Sequence, residues 1–320
     1  ITLDVAYLGK MSERLAVSLQ ALENEIYDLS GGYGSFNINS PKQLNDVLFG
    51  KLGLPTEGIR KTSHGFSTDA GTLDRLGADT GSPIVLKILE YRELAKLKGT
   101  YVDALPELVN PRTGRVHTSY NQTGTSTGRL SSSNPNLQNI PIRTQIGREV
   151  RRAFVAPEGR LLLAVDYSQI ELRVLAHISQ DATLLEAFAQ GQDIHAATAA
   201  TVYGIPLDQV TYEQRSFAKR VNFGLIYGMG AFRLARDSEL TLAEAEAFIR
   251  TYFDRLPGVE KYIEETKHKA TTEGYLTTLF GRKRYFPTLA AGRGDRQSQQ
   301  GELRAAVNMP IQGTAADIMK

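Results

Sequence analysis

Leucine and isoleucine recur at steps of four and three from Ser12 onward, at Leu15, Leu19, Leu22, Ile26 and Leu29, with Gly31 just beyond. That period predicts one long amphipathic helix ending at Leu29. A second begins with Ser82 as N-cap and Pro83 in the first turn, and runs through IVLKILEYRELAKLK to Gly99. Two such stripes bury themselves most directly against each other. Between them, GIRKTSHGFST is basic, hydroxyl-rich and punctuated by glycine, which predicts a mobile loop at the tip of the pair. The period then changes. After the turn NPRTG, Val116, Thr118 and Tyr120 alternate with His117, Ser119 and Asn121, so a strand opens a new domain near residue 110. From about Asp181 to Ala270 the pattern is mostly helical, and no internal repeat or low-complexity segment interrupts it.

Two further patterns carry chemistry. Leu161 to Val165 is a continuous apolar run, too short for an ordinary helix and suited to a buried strand, with Asp166 at its end and a helix starting near Gln169. On its own Asp166 fits a helix N-cap as well as a metal ligand; as a hard oxygen ligand it suits magnesium, whose shell is completed by water and substrate phosphates. In RSFAKRVNFGLIYG, Arg215, Lys219, Phe223 and Tyr227 are four residues apart. Each step of four advances only about 40° around a helix, so they form one stripe about 18 Å long, grading from cationic to aromatic. An amphipathic helix with solvated cations and core aromatics satisfies this pattern, and so does a cradle for a nucleotide from triphosphate to base. Gly224 and Gly228 weaken a helix, which is tolerated where the backbone is closely approached or the helix must end. A polar loop, TGTSTGRLSSSNPNLQNIP, supplies Arg129, Asn136, Gln138 and Asn139; it is either a turn-rich linker or a set of minor-groove donors that test base pairs without reading sequence.

Composition narrows the classes. The 320 residues are 41% hydrophobic and 22% charged, enough for two or three cores. No run of about 18 apolar residues and no leader pattern predicts a membrane span or signal peptide. The absence of cysteine excludes disulfides and thiolate metal sites and fits a reducing compartment. A net charge of +2 means that any nucleic acid must be met by local clusters, such as Arg143, Arg148, Arg151 and Arg152, or Arg282, Lys283 and Arg284, each of which also fits a solvated face. The chain starts at Ile1 without Met and stops at GTAADIMK within a helical pattern, as expected of a piece of a longer protein.

Together DYSQIELR, RSFAKRVNFGLIYG, TGRLSSSNPNLQNIP and NMPIQGTAAD resemble, in order and spacing, the motifs of bacterial family A DNA polymerases of the DNA polymerase I type. The resemblance implies an α+β right-hand fold: thumb helices over 1–109, the first part of an antiparallel palm over 110–185, helical fingers over 186–297 and the start of the second palm part over 298–320. It implies template-directed addition of deoxynucleotides to a primer, two magnesium ions, primer-template DNA and dNTP as partners, a monomer, no membrane, and the bacterial cytosol. By the same resemblance Asp166 binds both ions, with the Tyr167 carbonyl helping on one, and Arg215, Lys219 and His195 hold the triphosphate. Phe223 packs on the nucleotide, Tyr227 occupies the template position, Glu171 excludes a 2′-hydroxyl, and Gln169 joins the nucleotide site. Arg129, Asn136, Gln138, Asn139, Arg143 and Gln312 contact DNA.

A two-metal site needs a second carboxylate. Asp181 and Asp193 fit helix N-caps, Asp208 sits in a Pro-containing turn and Asp317 in a helix, so the second carboxylate is expected in a His-Asp-Glu motif beyond residue 320. Two other readings stay open: a non-catalytic nucleic-acid or nucleotide-binding fragment, and a single-subunit RNA polymerase, the latter disfavoured by Glu171 and Phe223.

Overall fold

The computed structural model describes every residue except Arg143, Asp237, Glu239 and Arg293, together with the side chain of Thr201. It divides into two units, residues 1–120 with 132–164, and residues 121–131 with 165–320.

In the first unit the stripe predicted from Ser12 starts earlier. The helix spans Val5–Leu29, capped by Asp4, which accepts from the Tyr7 backbone N–H at 2.8 Å. Leu8 and Met11 extend the same stripe toward the N-terminus and are buried, which is why the helix does not wait for Ser12. The second helix spans Pro83–Leu97 and packs along the first: Leu94 and Leu97 join Leu8, Met11, Leu15 and Leu22, while Ile84, Val85 and Ile88 join Ile26. Ser82 holds the N-cap position without a side-chain capping bond, and after Leu97 the chain continues in a wider turn, Lys98–Val102, that buries Tyr101 and Val102.

The predicted loop between them is instead built around a hairpin, with Lys61 opposite Phe66 and Thr62 opposite Gly65. Asn45 holds it by donating to the Phe66 carbonyl at 2.9 Å. Gly65 is obligatory there, because its φ is +102° and a Cβ would lie 2.3 Å from the Asn45 side chain. An antiparallel sheet runs in the order Val109–Asn110, Arg115–Val116, Thr2–Leu3, Phe154–Val155, so NPRTG is the turn of its edge hairpin.

The expected strand at 161–165 does not form. Leu161, Leu163 and Val165 are 94%, 88% and 82% exposed, and no strand pairs with this run among the described residues. A continuous apolar strand is stable only when both faces are covered, and nothing described covers these. Asp166 therefore follows an open segment and not a buried strand.

The second unit is helical as patterned. Ile170–Ser179, Pro257–Glu273 and Arg296–Met319 share a core of Leu172, Leu175, Val259, Ile263, Val307 and Ile311. Tyr212–Ile226 packs on Ile194–Tyr203, and its Val221 and Leu225 meet Leu234 and Ala245. A hairpin, Tyr275–Thr277 with Lys283–Tyr285, precedes the last helix. No helix among the described residues is long and apolar enough to cross a membrane.

Candidate nucleotide site

Thr211 starts the Tyr212–Ile226 helix with a capping box, exchanging bonds with Gln214. Ala218, Val221, Asn222, Leu225 and Ile226 bury one side. That orientation leaves the stripe of Arg215, Lys219 and Phe223 facing a hollow of about 400 Å³. Tyr227 closes the helix and stacks on Phe223, ring centroids 6.1 Å apart and 25° between planes. The glycines have different reasons. Gly224 admits the Met229 side chain, whose Cε lies 2.5 Å from where a Cβ would be, and Gly228 ends the helix at φ +84°.

The other wall of the hollow is the segment before the Ile170–Ser179 helix, bearing Asp166, Tyr167, Gln169 and Glu171, with Arg129 from the 121–131 loop. Gln169 has a left-handed backbone, φ +55°, and its side-chain oxygen is buried with no hydrogen-bond partner. Asp166 presents an exposed carboxylate to the hollow, and a hydrated hard cation needs only one or two such ligands, so the residues present fit magnesium through this one carboxylate. Among the described residues no three carboxylate or imidazole groups cluster as a ready metal site.

Glu171 is engaged from two sides: Arg129 Nη2 donates to one carboxylate oxygen and the Tyr227 hydroxyl to the other at 2.8 Å. Burial, then the Glu171 charge, push the Tyr227 phenol well above its ordinary range, so it stays a donor. His195 is 1% exposed and tilted on Phe223 at 5.7 Å. Burial, with further push from Arg215 and Lys219, lowers its pKa to about 4. The imidazole is thus neutral near pH 7, and what it can offer an anion is a hydrogen bond and not a charge. With Asn222 Nδ2 donating to Nδ1 at 3.1 Å, the ring proton sits on Nε2.

Asp193 caps the His195 helix, as its position predicts, and also accepts from Arg215 Nε at 2.6 Å. Burial opposes its charge, but the bond from Arg215 and those from the backbone N–H groups of Ala196 and His195 hold its carboxyl below the usual range. No spacing rule announces that pairing, since the partners are 22 residues apart.

The remaining expected residues lie elsewhere. Asn136, Gln138 and Asn139 belong to the first unit, where the Asn136 side chain caps the 3-10 turn Leu137–Asn139 by accepting from Gln138 N–H at 3.1 Å. The Asn139 carbonyl accepts from Tyr101 at 2.6 Å. Arg143 lies outside the described residues. Gln312 is half-buried on the last helix and does not line the hollow; one turn before it, Asn308 carries a buried, unpartnered side-chain oxygen, a position unremarked in the sequence although its four-residue spacing from Gln312 is visible there. Two basic clusters also lose members to structural work. Arg151 bonds the Ile140 and Pro141 carbonyls, and Arg282 makes a two-pronged bond to Asp317 at 2.7 and 2.9 Å.

The DNA polymerase family A model matches residues 5–320. The chain is 51% identical over its whole length to DNA polymerase I, thermostable, of Thermus aquaticus, and 50% identical over 99% of its length to DNA polymerase I of Pseudomonas aeruginosa. It spans 38% and 34% of those proteins. In structure it resembles the POL domain of Pol1 from M. smegmatis, described in complex with DNA primer-template and dNTP, with a TM-score of 0.89 and 42% identity over all of this chain and 55% of that one. The α+β architecture is that of the polymerase domain.

Proposed function

Because the chain belongs to DNA polymerase family A, we propose that its hollow receives an incoming deoxynucleoside triphosphate and that the polymerase carrying this chain extends a primer 3′ end along a DNA template. The observation that carries this is the hollow itself, with an exposed carboxylate on one wall and a cation-to-aromatic stripe on the other. Arg215 and Lys219 take the triphosphate, with neutral His195 as a donor, and Phe223 packs on sugar and base. Glu171, fixed by Arg129 and Tyr227, walls off the 2′ position. Tyr227 holds the template position, and Gln169 offers its unpaired oxygen to the nucleotide site. Arg129 and Gln312, with Asn136, Gln138, Asn139 and Arg143, meet the DNA. In this scheme 1–109 is thumb, 110–185 and 298–320 are palm, and 186–297 is fingers; the protein acts as a cytoplasmic monomer.

Family A polymerases are generally metal-dependent. Asp166 and the Tyr167 carbonyl would hold magnesium, two ions in the working enzyme, which stabilise the attacking 3′-oxygen and the leaving pyrophosphate. Among the described residues the hollow offers no second free carboxylate: Glu171 is engaged by Arg129 and Tyr227, Asp181 caps a helix, Asp193 holds Arg215, and Asp317 is bonded by Arg282. We place it outside these 320 residues. This favours, for the isolated chain, a second reading as a nucleotide- and DNA-binding fragment without turnover.

Lys219→Ala tests the assignment in the polymerase carrying this chain. The ammonium faces a charge that grows as pyrophosphate leaves, so kcat/KM for one nucleotide falls. An unchanged kcat/KM removes Lys219 from the site.

A further inference from the structure

Arg215 is the only cation of the stripe whose guanidinium or ammonium is bonded to a carboxylate among the described residues, and the bond is one-sided. Nε donates to Asp193 Oδ2 at 2.6 Å, while neither Nη group has a described partner. A guanidinium carries five N–H donors in a rigid plane. Fixing the one at Nε fixes where the other four point.

The carboxylate that does this is itself immobilised. Its second oxygen, Oδ1, accepts from the backbone N–H of His195 at 2.9 Å and of Ala196 at 3.1 Å, as the N-cap of the Ile194–Tyr203 helix. Arg215 stands in the first turn of its own helix, after the Thr211 cap. One side chain thus ties the first turns of two helices together, and both helices present a residue to the hollow, His195 and Arg215. Lys219, one turn further on, has no such tether among the described residues and is exposed. A carboxylate beside an anion site repels the anion, so by charge alone Asp193 is misplaced there. Its position makes sense through geometry.

We propose that Asp193 is a positioning residue for nucleotide capture: it aims the Nη fork of Arg215 at the phosphates by holding Nε. This rests on the nucleotide-site reading above. Pre-orientation of a bidentate donor lowers the ordering cost of binding and makes each phosphate contact more productive.

The test is a double-mutant cycle in the polymerase carrying this chain, with steady-state kinetics for one dNTP and thermal unfolding of each variant. Asn is as good an N-cap as Asp, so Asp193→Asn keeps the helix cap and volume but turns the acceptor facing Nε into an amide that cannot hold the guanidinium with charge. We expect KM to rise about tenfold, as for loss of one charge-assisted bond, with kcat changed by less than about twofold and the melting temperature retained. In an Arg215→Ala background Asp193→Asn adds nothing further. A fall in KM on Asp193→Asn would show that the carboxylate competes with the triphosphate, and the proposal is overturned. An equal rise in KM in both backgrounds would place the effect in the cap or in His195 and overturns it as well. If Arg215→Ala itself leaves KM unchanged, the nucleotide-site reading fails and the tether with it.

Discussion

Glu171 is held on both sides, by Arg129 and by the Tyr227 hydroxyl, and its side chain is only 14% exposed. A side chain so fixed acts as a wall. Glu171→Ala in the polymerase carrying this chain should raise the ribo-to-deoxynucleotide ratio of kcat/KM about tenfold or more, the scale of a small steric discrimination. An unchanged ratio would remove the sugar-gate role and restore weight to an RNA polymerase. His195 predicts a pH effect. Its folded pKa is about 4 against 6.5 for the free group. The unfolded chain therefore binds a proton below about 6.5 that the folded protein refuses until about 4, so stability is full at pH 7 and falls as the pH drops through that window. The loss between pH 7 and 5 is about 2 kcal/mol. Urea unfolding at both pH values checks it: His195→Gln should flatten the difference by that amount, and an identical pH slope in the variant speaks against a neutral buried imidazole. Legibility at this scale followed sequence distance. The Arg215-to-Tyr227 stripe could be seen because helical neighbours are local, whereas Asp193 and Arg215 meet only after two helices pack, and the charge of His195 depended on burial that no local pattern displays.

The long helices were legible because their stripes repeat within one element, and the early start at Val5 followed from Leu8 and Met11 continuing the period. The Leu161–Val165 run is not legible for the opposite reason: a strand's stability is supplied by its neighbours, and composition alone does not say whether they are there. The tip of the helix pair reads as a loop in the sequence because its hairpin depends on Asn45, outside the segment. Glycines give a test with opposite signs. Gly9 lies in the first helix with nothing within 4 Å of an added Cβ, so Gly9→Ala should stabilise by about 0.5–1 kcal/mol. Gly228 has φ +84° and a Cβ would press on Arg304 Cγ at 3.2 Å, so Gly228→Ala should destabilise by about 1–2 kcal/mol. Denaturant melts of the two variants check both; equal effects would mean that these backbone conformations are not those of the folded protein.

A net charge of +2 gives the whole chain no bulk basic field. Arg151 and Arg282 are engaged by their own protein, which leaves fewer cations for phosphates than the sequence offered. Binding to primer-template should still weaken steeply with salt, by about −0.9 in log-log slope per phosphate contact, and tolerate any sequence. A shallow slope or one preferred sequence would contradict contacts made mainly to phosphates. With Asp166 as the one carboxylate of the hollow not bonded by its own protein among the described residues, the isolated chain should extend a primer weakly or not at all. The most direct measurement compares Asp166→Ala with the unmodified polymerase carrying this chain, by primer extension with magnesium and by primer-template affinity. Loss of extension with affinity retained is the expected result, because Asp166 lines the hollow and, in the proposed function, serves the reaction and not the grip on DNA. Retained extension, or affinity lost in proportion to activity, would contradict it.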